Sequence, residues 1–175
     1  MSESFYQLSL ALCICFMANA QSVMGIPFGA SIDAVIVDLE DRGYQFKKSE
    51  NSLMVVNVIL NDEKFLAAFL NFQKDKEGYT YFNEAYFVKE FDNKKDADRE
   101  RDRLARKLSK KYPQRLESPI TVDGRLTYLL GTKLNSDGNV VPQIFICTRK
   151  SNHEGYYGVY VNYYPEDFVD ELSDF

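Results

Sequence analysis

The spacing of apolar residues early in the chain predicts an amphipathic helix over residues 31–42. Positions i, i+3, i+4 and i+7 of this segment form one apolar face, occupied by Ile32, Val35, Ile36 and Leu39. The hydroxyl of Ser31 can accept a hydrogen bond from a free N–H of the first turn, and Gly43 can take the left-handed conformation that ends a helix. Both flanking residues therefore agree with the predicted helix.

Strand patterns occupy the chain after this helix. Residues 53–60 are apolar and mostly β-branched, which is typical of a central strand. Residues 65–72 have a composition that a helix would tolerate, but their position between two strand-like segments favours a strand. A short strand is predicted at 44–47 and a long aromatic one at 78–91.

A second helix is predicted over residues 92–112. Its apolar positions form a narrow stripe, and its remaining surface is densely charged, which is typical of an exposed helix. Asp92 or Asn93 can cap its start, and Pro113 marks its end.

Strands again follow the second helix. Segments 124–134 and 140–149 are predicted to form a hairpin, with turn-forming residues at 135–139 between them. Residues 156–164 alternate, so one face of the predicted strand carries Tyr156, Gly158, Tyr160, Asn162 and Tyr164. A last short helix is predicted over 166–172.

The order of these elements predicts an α+β domain of two layers, in which helices cover one face of an antiparallel sheet. The short connections favour antiparallel pairing of neighbouring strands. A helix followed by strands occurs twice, over about residues 25–91 and 92–175, which indicates a weak internal duplication. One domain is therefore predicted over residues 21–175.

Residues 1–20 predict a cleaved export signal. Residues 8–17 form a compact apolar run, too short for a transmembrane helix, which needs ~20 apolar residues. An A-x-A cleavage pattern ends at Ala20, so Gln21 is the predicted mature N-terminus. The first seven residues lack Lys and Arg, and a buried N-terminal helix is the alternative interpretation. The predicted location is the periplasm or the extracellular space.

Composition and charge narrow the classes of partner. The 175 residues are 45% apolar and 27% charged, which is typical of a globular chain. The formal net charge of −5 argues against a nucleic acid or an anionic membrane as partner, because both need clustered positive charge. Cleavage after Ala20 would leave Cys147 as the only cysteine, and no internal disulfide could then form.

Sequence patterns for catalysis and metal binding are weak or missing. His153 is the only histidine and stands in a polar loop, so no catalytic triad can be assembled around it, and it is interpreted as incidental. Segment 135–139 resembles the start of a calcium loop, but Ile146 stands where a bidentate Glu is required. Cys147 lies in an apolar run and is interpreted as a buried small hydrophobe. No catalytic residue, cofactor or metal site is predicted.

The tyrosine row of the last strand is the predicted binding surface, formed by Tyr156, Tyr160 and Tyr164. Tyrosine presents a large rigid face with a hydroxyl group and is enriched at binding sites. The alternative is that a helix covers this face and that the row belongs to the core. The leading hypothesis is an exported, non-enzymatic domain that binds a protein or peptide or supports envelope assembly.

Two other function classes stay open. A carboxylate-based hydrolase would use Glu84 and Glu90, which share one face of a predicted strand. A deep pocket holding both carboxylates with perturbed pKa values would favour this class. A carbohydrate-binding module would use Tyr156 and Tyr164, although the chain contains no Trp for sugar stacking.

The segment after the predicted cleavage site carries a short motif. Residues 25–31, with the sequence GIPFGAS, lead into the first helix and then to Gly43, Tyr44 and Phe46. This arrangement resembles small exported proteins of Bacteroidetes that begin with a G-I-P-(h)-G-(x)-S motif. The resemblance implies a location and no activity. The glycine spacing does not fit a phosphate loop.

These residues are instead interpreted as a helix-start motif, formed by Gly25, Pro27, Phe28, Gly29 and Ser31. Pro27 and the glycines are expected to shape the path into the first helix, and Phe28 to anchor it in the core. The repeated layout of helix and strands is also similar to outer-membrane assembly lipoproteins of the SmpA/OmlA type and to β-lactamase-inhibitor proteins. This chain lacks the lipidated cysteine of the former, and a shared layout does not determine function.

Overall fold

The computed structural model describes residues 21–112, 119–122, 124–134 and 140–165. The predicted export signal with Ala20, the hairpin loop at 135–139 and the predicted helix at 166–172 lie outside the described residues.

The first helix, α1, spans Ile32–Asp41, as predicted. The Ser31 hydroxyl accepts a hydrogen bond from the N–H of Ala34 at 3.3 Å, which confirms its role as the N-cap. Val35 and Leu39 are fully buried on the apolar face. Gly43 has a φ of 72°, the left-handed conformation that stops the helix.

The second helix, α2, spans Lys94–Leu108 and is shorter than predicted. Asn93 is its cap, because its side-chain oxygen accepts from the N–H of Asp96 at 2.9 Å. Ala97, Leu104, Ala105 and Leu108 of the predicted apolar stripe are buried, and Arg101 is buried beside them at 5% exposure. Tyr112, the last residue of the predicted stripe, lies beyond the helix and is half-buried.

A large antiparallel sheet forms most of the structure. Across the part of the chain that is described, the strand order is β3-β4-β5-β6-β12-β11-β8-β7. The strands of the first half are β3 (Phe46–Lys48), β4 (Ser52–Leu60), β5 (Glu63–Lys74) and β6 (Thr80–Phe91). Those of the second half are β7 (Ile120–Val122), β8 (Arg125–Leu130), β11 (Ile144–Lys150) and β12 (Tyr157–Tyr163).

Two short hairpins accompany the sheet. The first joins β1 (Ser22–Val23) to β2 (Ile26–Pro27), and the second joins β9 (Lys133–Leu134) to β10 (Val140–Val141). The predicted strands at 124–134 and 140–149 are therefore each divided, β8 from β9 and β10 from β11.

The predicted fold class, a two-layer α+β domain with a covering layer of helices, is wrong. The structure is mostly β, with 50% strand, 19% helix and two helices among the described residues. Strand β5 spans 12 residues, four more than the strand predicted at 65–72, and β6 also spans 12, whereas α1 has only 10. Two short helices lie against part of such a sheet and do not form a second layer over it.

The sheet has two unlike faces. The face that we call the helix-side face forms the main core with the buried residues of both helices, through side chains such as Leu53, Leu70, Phe87, Val161 and Ile146. Alternation along the strands directs the remaining side chains to the opposite, open face. Register places one row of the open face side by side, formed by Val56, Ala67, Val88, Tyr160, Cys147 and Thr127.

Chain order and position in the sheet are related. Helix α1 precedes strands β3 to β6, α2 precedes the other four strands of the sheet, and β6 and β12 are neighbours at the centre. The internal duplication over residues 25–91 and 92–175 stays a prediction.

Candidate functional site

A trough runs over the open face of the sheet. It consists of two adjoining cavities of about 630 Å³ and about 310 Å³, and both are lined by Tyr86 and Arg149. The lining reaches from Met54 on β4 to Val122 on β7. Six steps between neighbouring strands at ~4.8 Å give this open-face trough a length of about 29 Å.

The larger cavity has an apolar and aromatic floor. Phe69 and Tyr86 are cross-strand neighbours, and their rings stack with centroids 4.6 Å apart and planes inclined by 10°. Tyr160 continues the aromatic surface at 6.4 Å from Tyr86. Aromatic pairs of this kind add to the stability that area burial provides. The floor is thus a rigid surface that side chains of a ligand can contact.

A backbone irregularity turns Leu66 out of the core into this cavity. Asn57 on β4 has a φ of 55°, and the buried positions around it, Val55 and Val58, are three residues apart instead of two. Leu66 on β5, like Asn57 on β4, lies between the cross-strand pairs Val56–Ala67 and Val58–Phe65, and it remains 48% exposed. An exposed leucine in a cavity is a contact available to a partner.

Arg149 lies at the junction of the two cavities and is held by Tyr160. Its guanidinium carbon is 3.7 Å from the centroid of the Tyr160 ring, a cation–π contact. Gly158, the cross-strand partner of Arg149, makes room for that ring, because a Cβ atom at position 158 would stand 2.5 Å from it. The arginine is therefore oriented before any ligand arrives.

The smaller cavity is more polar. Glu84 accepts a hydrogen bond from the amide of Asn71 at 2.7 Å and another from the Tyr164 hydroxyl. Burial, with the Glu84 carboxylate beside it, raises the pKa of Tyr164 above its usual range, so its hydroxyl stays protonated and donates. Arg125 and the half-buried Cys147 also line this cavity.

Burial also raises the pKa of the Cys147 thiol, although Arg149 and Arg125 act in the opposite direction. The thiol is therefore mostly protonated near neutral pH, which makes it a poor nucleophile. The predicted buried hydrophobe is in fact a half-buried side chain on the open face, between two arginines.

A carboxylate–imidazole pair stands at one end of the larger cavity. The Nδ1 atom of His153 is 3.0 Å from Oε2 of Glu90, and the Ser151 hydroxyl donates to the other carboxylate oxygen. Burial alone would raise the pKa of Glu90, but these two hydrogen bonds outweigh it and hold that pKa below its usual value. Since Ser151 donates to the carboxylate and not to the imidazole, the three residues do not have the arrangement of a catalytic triad.

The interpretation of His153 as incidental missed this contact. Glu90 and His153 are 63 positions apart, and the pairing of Gly158 with Glu90 brings the β11–β12 loop to the carboxylate. The sequence does show that Glu90 stands near the end of one predicted strand and His153 in the loop before another. Only the register of β6 with β12 brings these two residues together.

The predicted tyrosine row is not one continuous platform. Tyr160 is only 7% exposed under Arg149, Tyr164 lines the smaller cavity, and Tyr156 lies just before β12 at 43% exposure. Eight residues of extended chain separate Tyr156 from Tyr164 by about 26 Å. The helices contact the other face of the sheet, so the alternative in which a helix covers this row does not apply to the described residues.

The two carboxylates proposed for a hydrolase are also far apart. Glu84 lines the smaller cavity and Glu90 the larger one, and six residues of extended strand separate them by about 20 Å. Paired carboxylates in glycoside hydrolases stand within about 10 Å of each other. Among the described residues, no group of three or more His, Cys, Asp or Glu side chains is placed to hold a metal ion.

The helix-start motif has a structural role on another part of the molecule. Gly25 has a φ of 77° in the turn of the β1–β2 hairpin, and Pro27 ends β2. The Phe28 ring stacks on Phe82 with centroids 4.9 Å apart, and the N–H of Gly29 donates to the Phe82 carbonyl at 2.8 Å. These contacts fasten the start of α1 to the start of β6.

Within the described segments, no helix is both long and apolar enough to cross a membrane. Comparison of the chain with protein-family models, curated proteins and solved structures gives no match. The resemblance to exported proteins of Bacteroidetes stays a prediction.

Proposed function

We propose that this protein is a non-enzymatic binding domain that holds a segment of a protein chain in the open-face trough. One observation carries the proposal: a concave surface with an aromatic floor and an oriented arginine extends across seven strands of the sheet. Binding surfaces are enriched in tyrosine, phenylalanine and arginine, and this trough is lined by all three.

The length of the trough favours a peptide segment over a compact small molecule. A cavity of about 630 Å³ lies within the size range of small-molecule sites, but it opens into a second cavity through shared lining residues. A trough of about 29 Å corresponds to roughly nine residues of extended chain. Leu66 and the stacked rings provide apolar contacts at one end, and polar groups line the other.

Export to the periplasm or the extracellular space is part of the same proposal. It rests on the apolar run at 8–17 and the A-x-A pattern before Gln21. A role in envelope support would follow if the bound segment belonged to an envelope protein.

The test is a selection of peptides from a random display library against the full chain. Peptides that the wild-type protein enriches should lose about tenfold or more in affinity for L66K, because a cation then stands on the apolar floor. The matched control is V37K, since Val37 on α1 is 55% exposed and far from the trough. Enriched peptides that bind L66K as well as they bind V37K would overturn the proposal.

A further inference from the structure

The trough contains cations without counter-ions. Arg125 and Arg149 make no ion pair within the described residues. The two carboxylates of the trough are already engaged within the described residues, Glu84 by Asn71 and Tyr164, and Glu90 by Ser151 and His153. A ligand that brings carboxylates of its own would complete the arginine contacts.

The ten residues that follow Pro165 have this chemistry. We call residues 166–175, with the sequence EDFVDELSDF, the tail segment. Its acidic side chains are Glu166, Asp167, Asp170, Glu171 and Asp174, and its large apolar side chains are Phe168, Val169, Leu172 and Phe175. The segment therefore carries both kinds of group that the trough could bind, carboxylates for the two arginines and apolar side chains for the aromatic floor.

The position of the tail segment agrees with its chemistry. Tyr164, which lines the smaller cavity, stands two residues before the segment begins. Either end of the trough lies three strand spacings from β12, about 14 Å away. Ten extended residues span about 33 Å, so the segment reaches both cavities without any change in the sheet.

We infer that the tail segment of the same molecule occupies the open-face trough, with its carboxylates at Arg149 and Arg125 and its apolar side chains on the aromatic floor. This inference rests on the proposed function, because it assigns the first occupant of the same trough. A short tether gives the segment an effective concentration in the millimolar range, so even weak contacts hold it in place. A partner peptide must then displace it.

Cys147 provides the measurement, because its thiol lines the smaller cavity. The rate at which N-ethylmaleimide alkylates Cys147 in the full chain is followed by peptide-resolved mass spectrometry, which separates it from Cys13 and Cys15. The test variant converts the five tail acids to amides: E166Q, D167N, D170N, E171Q and D174N. If the tail segment leaves the trough, the rate at which Cys147 is alkylated should rise by roughly fivefold or more.

A control variant removes acidic charge elsewhere, with D33N, E40Q and D41N on α1. It should label Cys147 at the wild-type rate. The substitution R149Q sharpens the test, because losing that cation raises the pKa of the thiol and by itself slows labelling. If Cys147 is nevertheless alkylated faster in R149Q than in the wild type, the cause is exposure of the trough and not a change in the thiol pKa. Combining R149Q with the tail variant should then give no further increase in the alkylation rate.

Two results would overturn the inference. One is a tail variant that labels Cys147 at the wild-type rate, which would leave the proposed function standing if L66K still weakens the selected peptides. The other is protection that fades on dilution of the wild-type protein, because the occupant would then be the tail of a second copy. If the inference holds, the selected peptides bind the tail variant several-fold more tightly than the wild-type chain.

Discussion

Two arginines on opposite faces of the sheet show how differently those faces are used. Arg101 on α2 is 5% exposed, and its guanidinium contacts the carboxylates of Asp98 at 2.9 Å and Asp102 at 2.7 Å. Arg149 on the open face is exposed, lies on the Tyr160 ring and has no carboxylate partner among the described residues. The charge of Arg101 is therefore paired within the molecule, whereas Arg149 has no such pairing among the described residues.

The same contrast holds for carboxylates. Glu63 on the helix side accepts from Lys107 at 2.7 Å, Lys89 at 2.9 Å and Arg103 at 3.0 Å. Glu84 and Glu90 on the open face accept from neutral groups and from a histidine. The cations around Glu63 join α2 to β5 and β6, whereas the open-face contacts position side chains along a cavity. One face is therefore held together by ion pairs, and the other carries the proposed binding trough.

Matched aromatic truncations should give the largest difference between the faces. Phe87 is fully buried in the main core, so F87A should lower the free energy of unfolding by about 3–5 kcal/mol. Phe69 is half-buried in the trough, so F69A should lower the free energy of unfolding by about 1–2 kcal/mol. The same substitution should lower the affinity of the protein for the selected peptides. Urea denaturation of both variants measures the difference. Equal losses would mean that the open face is part of the core.

Removal of the carboxylate at position 63 should have the next largest effect. E63Q leaves Lys89, Arg103 and Lys107 close together without their shared anion, and the expected loss is about 2 kcal/mol at neutral pH. The control E154Q changes an exposed glutamate that makes no ion pair within the described residues and should cost less than about 0.5 kcal/mol.

The pH dependence of this effect has a definite sign. Hydrogen bonds from Arg103 lead the contacts that hold the pKa of Glu63 far below its usual value, so the folded state binds the proton less readily than the unfolded state. The contribution of Glu63 is complete above an unfolded pKa of ~4.3 and is lost as the pH falls below it. The stability difference between wild type and E63Q should therefore shrink progressively below about pH 4. A difference that stays constant to low pH would contradict this assignment.

Gly158 offers a smaller but more specific perturbation of the open face. In G158A the added Cβ meets the Tyr160 ring at 2.5 Å, which displaces the ring and the arginine on it. The expected cost is about 1–2 kcal/mol of unfolding free energy, together with weaker binding of the selected peptides. In a Y160A background the same substitution should cost almost nothing, because the clash is gone. If G158A lowers the free energy of unfolding equally in the wild-type and Y160A backgrounds, the strain does not come from contact with the Tyr160 ring.

Local elements were predictable because their causes are local. The apolar spacing and the Ser31 hydroxyl define α1, and Asn93 begins α2 in the same way. The strand at β5 was predicted against its helix-tolerant composition, from its neighbours and short connections. The proportion of strand to helix was not predictable in this way, since strand ends depend on pairing partners that the chain supplies elsewhere.

The candidate site depends on register even more strongly. Alternation along β12 correctly separated Tyr160 and Tyr164 from Tyr157 and Tyr163, but it contains no information on which strands flank β12. The neighbours that make Tyr160 part of a trough come from β6 and β11, and Gly158 allows its ring to lie under Arg149. Of the predicted tyrosine row, Tyr156 is exposed, Tyr164 lines the smaller cavity, and Tyr160 is buried under Arg149.

The smallest expected effect concerns the exposed imidazole on the open face. His153 is 72% exposed, so H153A should change the free energy of unfolding by less than about 0.5 kcal/mol at neutral pH, in contrast to E63Q. The same substitution removes one of the two hydrogen bonds that hold the pKa of Glu90 low, and the Glu90 pKa should rise toward its usual value. Carboxyl NMR titration of wild type, H153A and S151A measures this shift without any change in fold. A Glu90 pKa that does not move would show that other groups hold the carboxylate. A loss of unfolding free energy well above about 1 kcal/mol would show that this open-face contact stabilises the fold, so that the two faces differ less than Arg101 and Arg149 indicate.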